Sequence, residues 1–303
     1  MEINQLKTFV TVAQEKHLTR AAERLFTSQP AVSAQLKGLE EELAVKLFDR
    51  TPKGMVLTPS GQHLLAHAEK TLTAMEGMLS EAKAIQGTVM GGLKIGVNSD
   101  FPFLCLPQLM ASCREHYPGL QLSMVGSMSA DIIIDIRKGK LDSGYFFGPC
   151  SSADLSIIKL ADIETAVVAP VDWADKVVDA KIEDLALMPW IYTTCRCPFY
   201  HLKEEIFQHS TIAPQKAAFA DTEDGIRELI KAGAGVSLIR ADDADRAEKE
   251  GWGIRWNGKT PSVALNIAVQ VNRAQEPIIL AWLSEIRKCW GLMQEVDVAK
   301  NAV

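Results

Sequence analysis

The segment spanning residues 19–37 restricts the possible folds of this chain more than any other stretch of the sequence. Ala21 and Ala22 are small enough to let two helices cross closely. Ser28 is suited to cap a following helix, and Pro30 falls in the first turn of that helix, where no backbone donor is missed. The segment therefore predicts two short helices joined by a tight turn. The apolar spacing of the preceding residues adds a first amphipathic helix.

The helix that begins after Ser28 has one apolar side and one polar side on a helical wheel. Its hydroxyl, amide and amine groups can contact base edges and phosphates, so the helix is suited to the major groove of DNA. The alternative is a packing module with a solvated face. The apolar stripe consists of Val32, Leu36, Leu39 and Leu43. The opposite side consists of Pro30, Ser33, Ala34 and Lys37, with Gln29 and Gln35 beside them.

A small β-wing is predicted after this helix, because Pro52-Lys53-Gly54 has the composition of a turn between two short extended pieces. Lys53 at the tip of the wing is placed to enter an adjacent minor groove or to contact phosphate. Arg50 can do likewise, although an arginine at a helix end is more often structural.

Residues 59–85 predict a single helix of about 40 Å at 1.5 Å per residue. Its apolar residues recur every three and four positions, as in a coiled coil. A helix with one such stripe packs either on its own chain or on a second copy, and we favour the second copy. Gly87, Gly91 and Gly92 are expected to end the helix and to form a hinge. The apolar seam consists of Leu65, Ala68, Leu72, Met75, Leu79 and Ala82.

The charge of the chain bears on the DNA hypothesis. A net charge of −6 over 303 residues argues against nucleic acid as a partner. Residues 1–65, however, hold eight Lys and Arg against seven Asp and Glu, so binding would depend on a few well-placed cations. No apolar run approaches the ~20 residues of a bilayer span, and no signal region is evident. Six irregularly spaced cysteines fit a reducing compartment. A cytoplasmic protein without a membrane partner is expected.

From Leu93 onward, short strands alternate with helices, which predicts an α/β region with mostly parallel sheets. An enzyme would need a nucleophile with a base, or a cofactor loop. The glycine run at residues 233–237 lacks a phosphate-binding lysine, and no catalytic or metal-ligating constellation is evident. We expect no enzymatic activity, no cofactor and no metal. The competing class is a solute-binding or enzymatic α/β protein that carries a fortuitous helical cap.

The motifs of the N-terminal region resemble the signature of the LysR-type transcriptional regulators. The matching pieces are Ala21-Ala22, the Ser-Gln-Pro-Ala-Val-Ser run at 28–33, Leu-Glu-x-x-Leu at 39–43, Leu-Phe-x-Arg at 47–50 and Leu-Thr-x-x-Gly at 57–61. The chain departs from the family at Ala34, where many members carry arginine, and at Ala44, where many carry glycine. The positions at which the family contacts DNA correspond here to Gln29, Pro30, Ser33, Ala34 and Lys53.

This resemblance implies an α/β multidomain fold. A winged helix-turn-helix at residues 1–58 would be followed by a linker helix and hinge at 59–90. Residues 91–303 would form an effector-binding domain of two α/β lobes, similar to periplasmic binding proteins. Lobe one would comprise residues 93–162 and 267–292, and lobe two residues 163–266. The chain would cross between the lobes near Asp162 and again near Asn266.

The resemblance also implies partners. They are double-stranded DNA with an interrupted palindromic operator, a small-molecule effector, and further copies of the chain. A homodimer would form through the linker helix and a homotetramer would follow, with RNA polymerase as a further partner. The proposed mechanism is a population shift, in which the effector changes the packing of the lobes and so the spacing of the DNA readers.

The effector is expected in the cleft between the lobes, where strand ends and helix N-termini converge. The serines either hold a carboxylate or only cap the helix, and the phenylalanines are either core or ligand platform. Asp100 would oppose an anionic effector, or receive a cationic or hydroxylated one. The expected cleft residues are Asn98, Ser99, Asp100, Ser127, Met128, Ser129 and Phe147 from lobe one, and Thr194, Cys195, Phe199 and Asp221 from lobe two.

The Cys195-Arg196-Cys197 tripeptide permits a separate hypothesis of thiol sensing. Arg196 would lower the pKa of a neighbouring thiol, and a disulfide this close in sequence would be strained and easily reduced. Peroxide-sensing members of the family space their two cysteines farther apart, so the tripeptide does not match their motif.

Overall fold

A computed structural model describes residues 1–52, 54–85 and 89–292, and the chain forms two compact units that divide between Thr88 and Val89. The first unit contains three short helices, a β-hairpin and one long helix, as the sequence predicts. Its elements are α1 (Ile3–Glu15), α2 (Leu18–Arg24), α3 (Gln29–Leu43), β1 (Phe48–Thr51), β2 (Gly54–Leu57) and α4 (Pro59–Ile85).

The turn between α2 and α3 forms as its residues indicate. Phe26 adopts a positive φ of 52° and is 96% exposed, so it turns the chain without joining the core. The Ser28 hydroxyl accepts a hydrogen bond from the backbone N–H of Ala31 at 3.4 Å, which caps α3. Beneath this turn, the rings of Phe9 and Phe48 meet edge to face at 5.6 Å and join α1 to the hairpin.

The beginning of α4 belongs to the core of its own unit. Ala68, which the sequence places on a dimer seam, is 4% exposed and packs into this core. Leu65 and Leu72 are partly buried against the same core. The first half of the predicted seam is therefore covered within the chain. The side chains of Leu79 and Ala82 lie outside the described residues.

The predicted hinge is only partly addressed by the structure. Gly87 lies outside the described residues, whereas Gly91 and Gly92 lie within the first strand of the second unit, so their assignment to a hinge is wrong. The strand begins at Met90 and pairs residue by residue with its neighbour from Met90↔Gly119 onward. These two glycines are therefore held in a sheet.

The strands and helices of the second unit are numbered onward from those of the first unit, as β3 to β12 and α5 to α12. Its elements are β3 (Met90–Val97), α5 (Leu106–His116), β4 (Gly119–Gly126), α6 (Ser129–Arg137), β5 (Ser143–Phe147), β6 (Leu155–Ile163), β7 (Thr165–Pro170), α7 (Ala174–Val177), α8 (Ile182–Leu187), β8 (Pro189–Tyr192), α9 (Pro198–Ile206), β9 (Gln215–Phe219), α10 (Glu223–Lys231), β10 (Ser237–Arg240), α11 (Ala241–Glu250), β11 (Gly253–Arg255), β12 (Val263–Gln270) and α12 (Pro277–Cys289).

The strands of this unit form separate sheets in two lobes. Lobe one has a five-stranded sheet in the order β4-β3-β5-β12-β6, in which β3 runs parallel to β4 and β5 while β12 runs antiparallel to β5 and β6. In lobe two, β7 is antiparallel to both β10 and β11, and β8 is parallel to β9. The expectation of mostly parallel sheets is wrong, because β12 enters lobe one from the other lobe and not through a helical crossover.

The chain crosses between the lobes at two places. The first crossing lies between Ile163 at the end of β6 and Thr165 at the start of β7, close to the predicted Asp162. The second crossing lies between Arg255 and Val263, a few residues before the predicted Asn266. Asn266 lies in the middle of β12, where its amide donates to the carbonyl of Gly148 at 2.9 Å. Residues 263–266 accordingly pair in the sheet of lobe one.

Each lobe is built on large buried aromatic residues. Tyr145 on β5 and Trp282 on α12 are fully buried in the core of lobe one. Trp190 is fully buried in lobe two, where its ring meets that of Phe207 edge to face at 5.1 Å. None of the helices in the described part of the chain combines the length and the apolar character needed to cross a membrane.

Candidate DNA-binding face and effector cleft

The polar face of α3 is uncovered within its own unit. Gln29, Pro30, Ala34 and Lys37 are exposed, and Ser33 is half-buried. The ammonium group of Lys37 lies 3.4 Å from a carboxylate oxygen of Glu41 one turn along the helix, and both side chains are exposed. The opposite side of α3 packs into the core, as the helical wheel predicts.

The hairpin places a guanidinium group beside this face. The assumption that Arg50 ends a helix is wrong. Arg50 lies on β1, where it is exposed. Its Nη2 donates a hydrogen bond to the Ser33 hydroxyl at 3.0 Å. Lys53 lies outside the described residues. Gln35 is turned inward and accepts a hydrogen bond from the hydroxyl of Thr8, so it leaves the polar face.

A cavity of about 710 Å³ lies between the two lobes of the second unit. Its wall includes nine of the eleven residues that the sequence analysis places in the cleft. Thr194 and Cys195 are not among the lining residues; Thr193 and Cys197 take their place. The Cys197 backbone N–H donates to the Thr194 carbonyl at 2.9 Å, which closes a turn that carries the chain past the cavity. The nine lining residues are Asn98, Ser99, Asp100, Ser127, Met128, Ser129, Phe147, Phe199 and Asp221.

Arg240 at the end of β10 lies at the centre of this wall and is 2% exposed. Its Nε donates to an oxygen of Asp242 at 2.9 Å, and its Nη2 lies 3.2 Å from an oxygen of Asp243. A third carboxylate of lobe two, Glu223 at the start of α10, contacts Nη1. Three carboxylates of one lobe thus surround a single guanidinium group.

The same guanidinium group reaches across to lobe one. Its Nη2 donates to an oxygen of Asp100 at 2.8 Å, its Nη1 donates to the Ser99 hydroxyl, and its carbon lies 3.8 Å above the ring of Phe103. The Ser99 hydroxyl donates in turn to Glu223 at 2.7 Å. Arg240 and Glu223 therefore join the two lobes along one side of the cavity.

Burial acts to raise the pKa of three of these carboxylates, but the net shift differs among them. Burial raises the pKa of Glu223 above its ordinary value, although Arg240 and the Ser99 hydroxyl act against the shift. Burial likewise raises the pKa of Asp243, against the charge of Arg240. Burial also acts to raise the pKa of Asp100, but a hydrogen bond from the Phe103 amide and the contact with Arg240 outweigh it and hold that pKa below its ordinary value.

The serines of α6 do not cap the helix. The N-cap residue is Met128, whose side chain makes no capping hydrogen bond. The Ser129 hydroxyl instead accepts hydrogen bonds from the amide of Asn98 and from the backbone N–H of Phe147, both at 3.1 Å. Ser129 therefore braces the ends of β3 and β5. The Oδ1 atom of Asn98 is buried and has no hydrogen-bond partner in the described structure.

The cysteine tripeptide lies at the edge of lobe two, and all six cysteines are free thiols. Burial raises the pKa of Cys197, which is opposite to the shift that the sequence analysis expects. Arg196 forms an ion pair with Asp131, in which Nη2 of Arg196 lies 2.9 Å from a carboxylate oxygen of Asp131. The neighbouring positive charge is therefore directed to a carboxylate and not to the Cys197 thiol.

Glu223, Arg240 and Asp243 also line the cleft, although the sequence-based prediction did not include them. A usable signal was present, because Arg240 ends a short apolar strand and Asp242-Asp243 begin the next helix. Charged residues at such a junction lie at the edge of a sheet, where α/β proteins bind their ligands.

Comparisons with known proteins agree with both units. The family described as "Bacterial regulatory helix-turn-helix protein, lysR family" matches residues 3–62, and the "LysR substrate binding domain" matches residues 86–290. The transcriptional regulator GltR of Bacillus subtilis (strain 168) is 30% identical over 254 residues, which cover 83% of each chain. Named relatives of this kind are regulators and not enzymes.

Solved structures share the fold of the whole chain. A full-length OxyR from Pseudomonas aeruginosa is 27% identical, with a TM-score of 0.72 and 95% of each chain covered. Full-length CbnR in complex with its target DNA has a TM-score of 0.68 at 23% identity, with 95% of this chain and 100% of that chain covered. With both units matched in order, the chain belongs to the LysR family of DNA-binding transcriptional regulators and carries their effector-binding domain.

Proposed function

We propose that α3 enters the major groove of an interrupted palindromic operator. Gln29, Pro30, Ser33 and Ala34 would face base edges, and Lys37 would contact phosphate. The observation that carries this proposal is the uncovered polar face of α3, with Arg50 hydrogen-bonded to Ser33 at its border. Arg50 on the hairpin would contact the DNA backbone, and so would Lys53, which the sequence predicts at the tip of the wing.

The second half of α4 is the proposed dimer contact. Within the unit, Ala68 and Leu72 pack on the core, but Met78, six residues farther along the same helix, is 64% exposed. A partner helix that covers this second half would pair two DNA-binding units, and the two-fold symmetry of such a dimer would match the two half-sites of the operator. A homotetramer, and contact with RNA polymerase at the promoter, extend this proposal.

The cavity between the lobes is the proposed effector site. An effector that binds one arrangement of the lobes more tightly than another shifts the population toward it, and this changes the spacing of the DNA-binding units. The contacts of Arg240 and Glu223 with lobe one are the element that such a ligand would bias. Because its partner is chromosomal DNA, the protein would act in the cytoplasm.

The substitution Ser33→Arg tests the placement of α3. The new side chain would meet Arg50 and would project from the polar face, so we expect operator affinity to fall by about tenfold or more, which corresponds to 1.4 kcal/mol. A gel-shift titration on the DNA upstream of the protein's own gene measures the effect.

Gln208→Arg is the matched control, because it adds the same charge at an exposed position of the second unit. This variant should bind the operator as the wild type does. An unchanged circular dichroism spectrum and melting temperature would show that Ser33→Arg still folds. Wild-type operator affinity of a folded Ser33→Arg protein would contradict the proposed groove contact.

A further inference from the structure

The helix N-termini at the cavity offer little to an anion. α6 and α10 both begin at its wall, and the positive end of a helix attracts negative charge. The first turn of α6, however, already carries Asp131, and the first turn of α10 carries Glu223 and Asp224. All three of these carboxylates line the cavity. The carboxylates of the chain therefore already neutralise the positive helix ends that would otherwise attract an anionic ligand.

The guanidinium groups of the wall are likewise engaged. Arg240 directs its nitrogens to the carboxylates of both lobes, as described above. Arg227 contacts Asp224 at 2.6 Å through Nη1 and approaches Asp243 at 3.7 Å through Nη2. The described residues that line the cavity include no arginine other than these two, and each of the two is paired with acidic groups.

Negative charge is in excess at the wall. Six carboxylates and two guanidinium groups line the described part of the cavity, which leaves a formal charge of −4. Outside the lining, Arg196 contacts Asp131 and Arg246 contacts Asp243, whereas Asp242 contacts Arg240, so the excess becomes −3. Burial raises the pKa values of Glu223 and Asp243, and a neighbouring carboxylate adds to each shift, Asp243 for Glu223 and Asp242 for Asp243.

One exposed acceptor, the Asp221 carboxylate, lies on the same wall as an apolar surface. The buried Oδ1 of Asn98 has no partner in the described structure, and Asp221 is exposed and accepts one hydrogen bond, from the Thr194 amide at 3.2 Å. The rings of Phe147 and Phe199 meet edge to face at 5.4 Å on the same wall. An ammonium or guanidinium group would find an acceptor here, and its carbon chain would find apolar contacts.

We propose that the cleft selects an organic cation, an amine or guanidinium compound with an apolar stem. Asp221, which is exposed and lines the cavity, would face the positive group. This inference rests on the proposed function only in taking the cleft as the effector site. A divalent metal is the other cationic source, since Asp100, Glu223 and Asp243 place oxygens within 4.8 Å of one another. Arg240 already contacts these three carboxylates, so a metal would have to displace a guanidinium group.

A series of ligands of equal length and different charge tests the proposal on the full-length protein. Cadaverine carries two ammonium groups, δ-aminovalerate one ammonium and one carboxylate, and glutarate two carboxylates. At neutral pH and constant ionic strength, calorimetric affinity should fall in that order, by about tenfold or more between cadaverine and glutarate. Magnesium chloride forms a separate arm. Equal or tighter binding of glutarate, no binding of cadaverine, or binding of magnesium alone would each overturn the proposal.

Asp221→Asn should weaken cadaverine binding by about fivefold, a difference of roughly 1 kcal/mol, because the substitution removes one acceptor charge without touching Arg240. Asp172→Asn, an exposed position outside the cavity, should leave the affinity unchanged. Gel shifts on the same preparations separate the two proposals. Cadaverine binding without any change in operator binding would refute control by the cleft but retain the ligand class. Operator binding that glutarate alone changes would retain the control and refute the class.

Discussion

The polar face of α3 and the cleft of the second unit use charged side chains in opposite ways. On α3, Lys37 and Glu41 form a contact at 3.4 Å in which both side chains are more than half exposed. In the cleft, Arg240 is 2% exposed and contacts carboxylates from two lobes. One surface holds its charges loosely in water, and the other encloses them.

This difference determines how much free energy each surface loses when one of its ion pairs is replaced by a contact with a ligand. Exposed ion pairs contribute only about 0–1 kcal/mol, so Lys37 can leave Glu41 for a phosphate at little cost. Removing one partner from a buried cluster costs several kcal/mol, because the remaining charges stay buried without compensation. A ligand that rearranges the lobes must therefore replace the contacts of Arg240 with contacts of its own.

Arg240→Met should produce the largest effect. The substitution leaves the carboxylates of Asp100, Glu223 and Asp243 without their shared cation, and we expect the free energy of unfolding to fall by about 3–5 kcal/mol. Chemical denaturation of the full chain, followed by tryptophan fluorescence, measures the change. Trp190 and Trp282 report on lobe two and lobe one respectively.

Arg240→Lys keeps the charge but loses the planar fork, so its loss of stability should be smaller than that of Arg240→Met. Arg137→Met removes an arginine from an exposed pair with Asp154 and serves as the matched control. A loss in Arg240→Met no larger than that of the control would show that the cleft charges are as weakly coupled as those on α3.

Lys37→Ala tests the exposed charge on the polar face of α3. Loss of one phosphate contact per protomer should weaken operator binding severalfold and lower the salt dependence of the affinity by about one unit of slope per contact. Gel-shift titrations at several salt concentrations measure both quantities. Lys7→Ala, exposed on α1, is the control and should leave the slope unchanged. Equal slopes for wild type and Lys37→Ala would place Lys37 away from phosphate.

The first unit could be predicted in detail because its signals are local. Ser28 as a cap, Pro30 in the first helical turn and the alanine pair each act within a few residues, and the structure contains the helices that they indicate. What failed there depends on contacts distant in sequence. Gln35 turns inward to meet Thr8, and Ala68 of the predicted dimer seam is buried by its own chain.

The cleft was less predictable for the same physical reason. Its central contact joins Arg240 to Asp100, which are 140 residues apart in sequence, and no local pattern indicates which distant carboxylate a buried arginine will meet. The resemblance located the strand ends of lobe one correctly, but it could not supply Glu223 or Asp243.

The smallest expected effect is a change in the pH dependence of stability in Glu223→Gln. Because burial raises the pKa of Glu223 above its ordinary value of 4.5, the folded protein keeps this proton at pH values where the unfolded chain has released it. The contribution of Glu223 to stability is fully present below pH 4.5 and is lost as the pH rises through the folded-state pKa. Wild type should therefore lose stability relative to the variant as the pH rises above 4.5, by at most about 1.4 kcal/mol for each unit by which the pKa is raised.

Asp100 does not obscure this window, because its lowered pKa affects stability in the opposite direction and at pH values near or below 3.8. Urea denaturation of wild type and Glu223→Gln at a series of pH values measures the difference, and Glu205→Gln, an exposed position on α9, controls for the loss of one negative charge. If the difference between wild type and Glu223→Gln stayed constant from pH 4.5 upward, burial would not raise the pKa of Glu223, and the contrast between an enclosed and an open charged surface would lose this support.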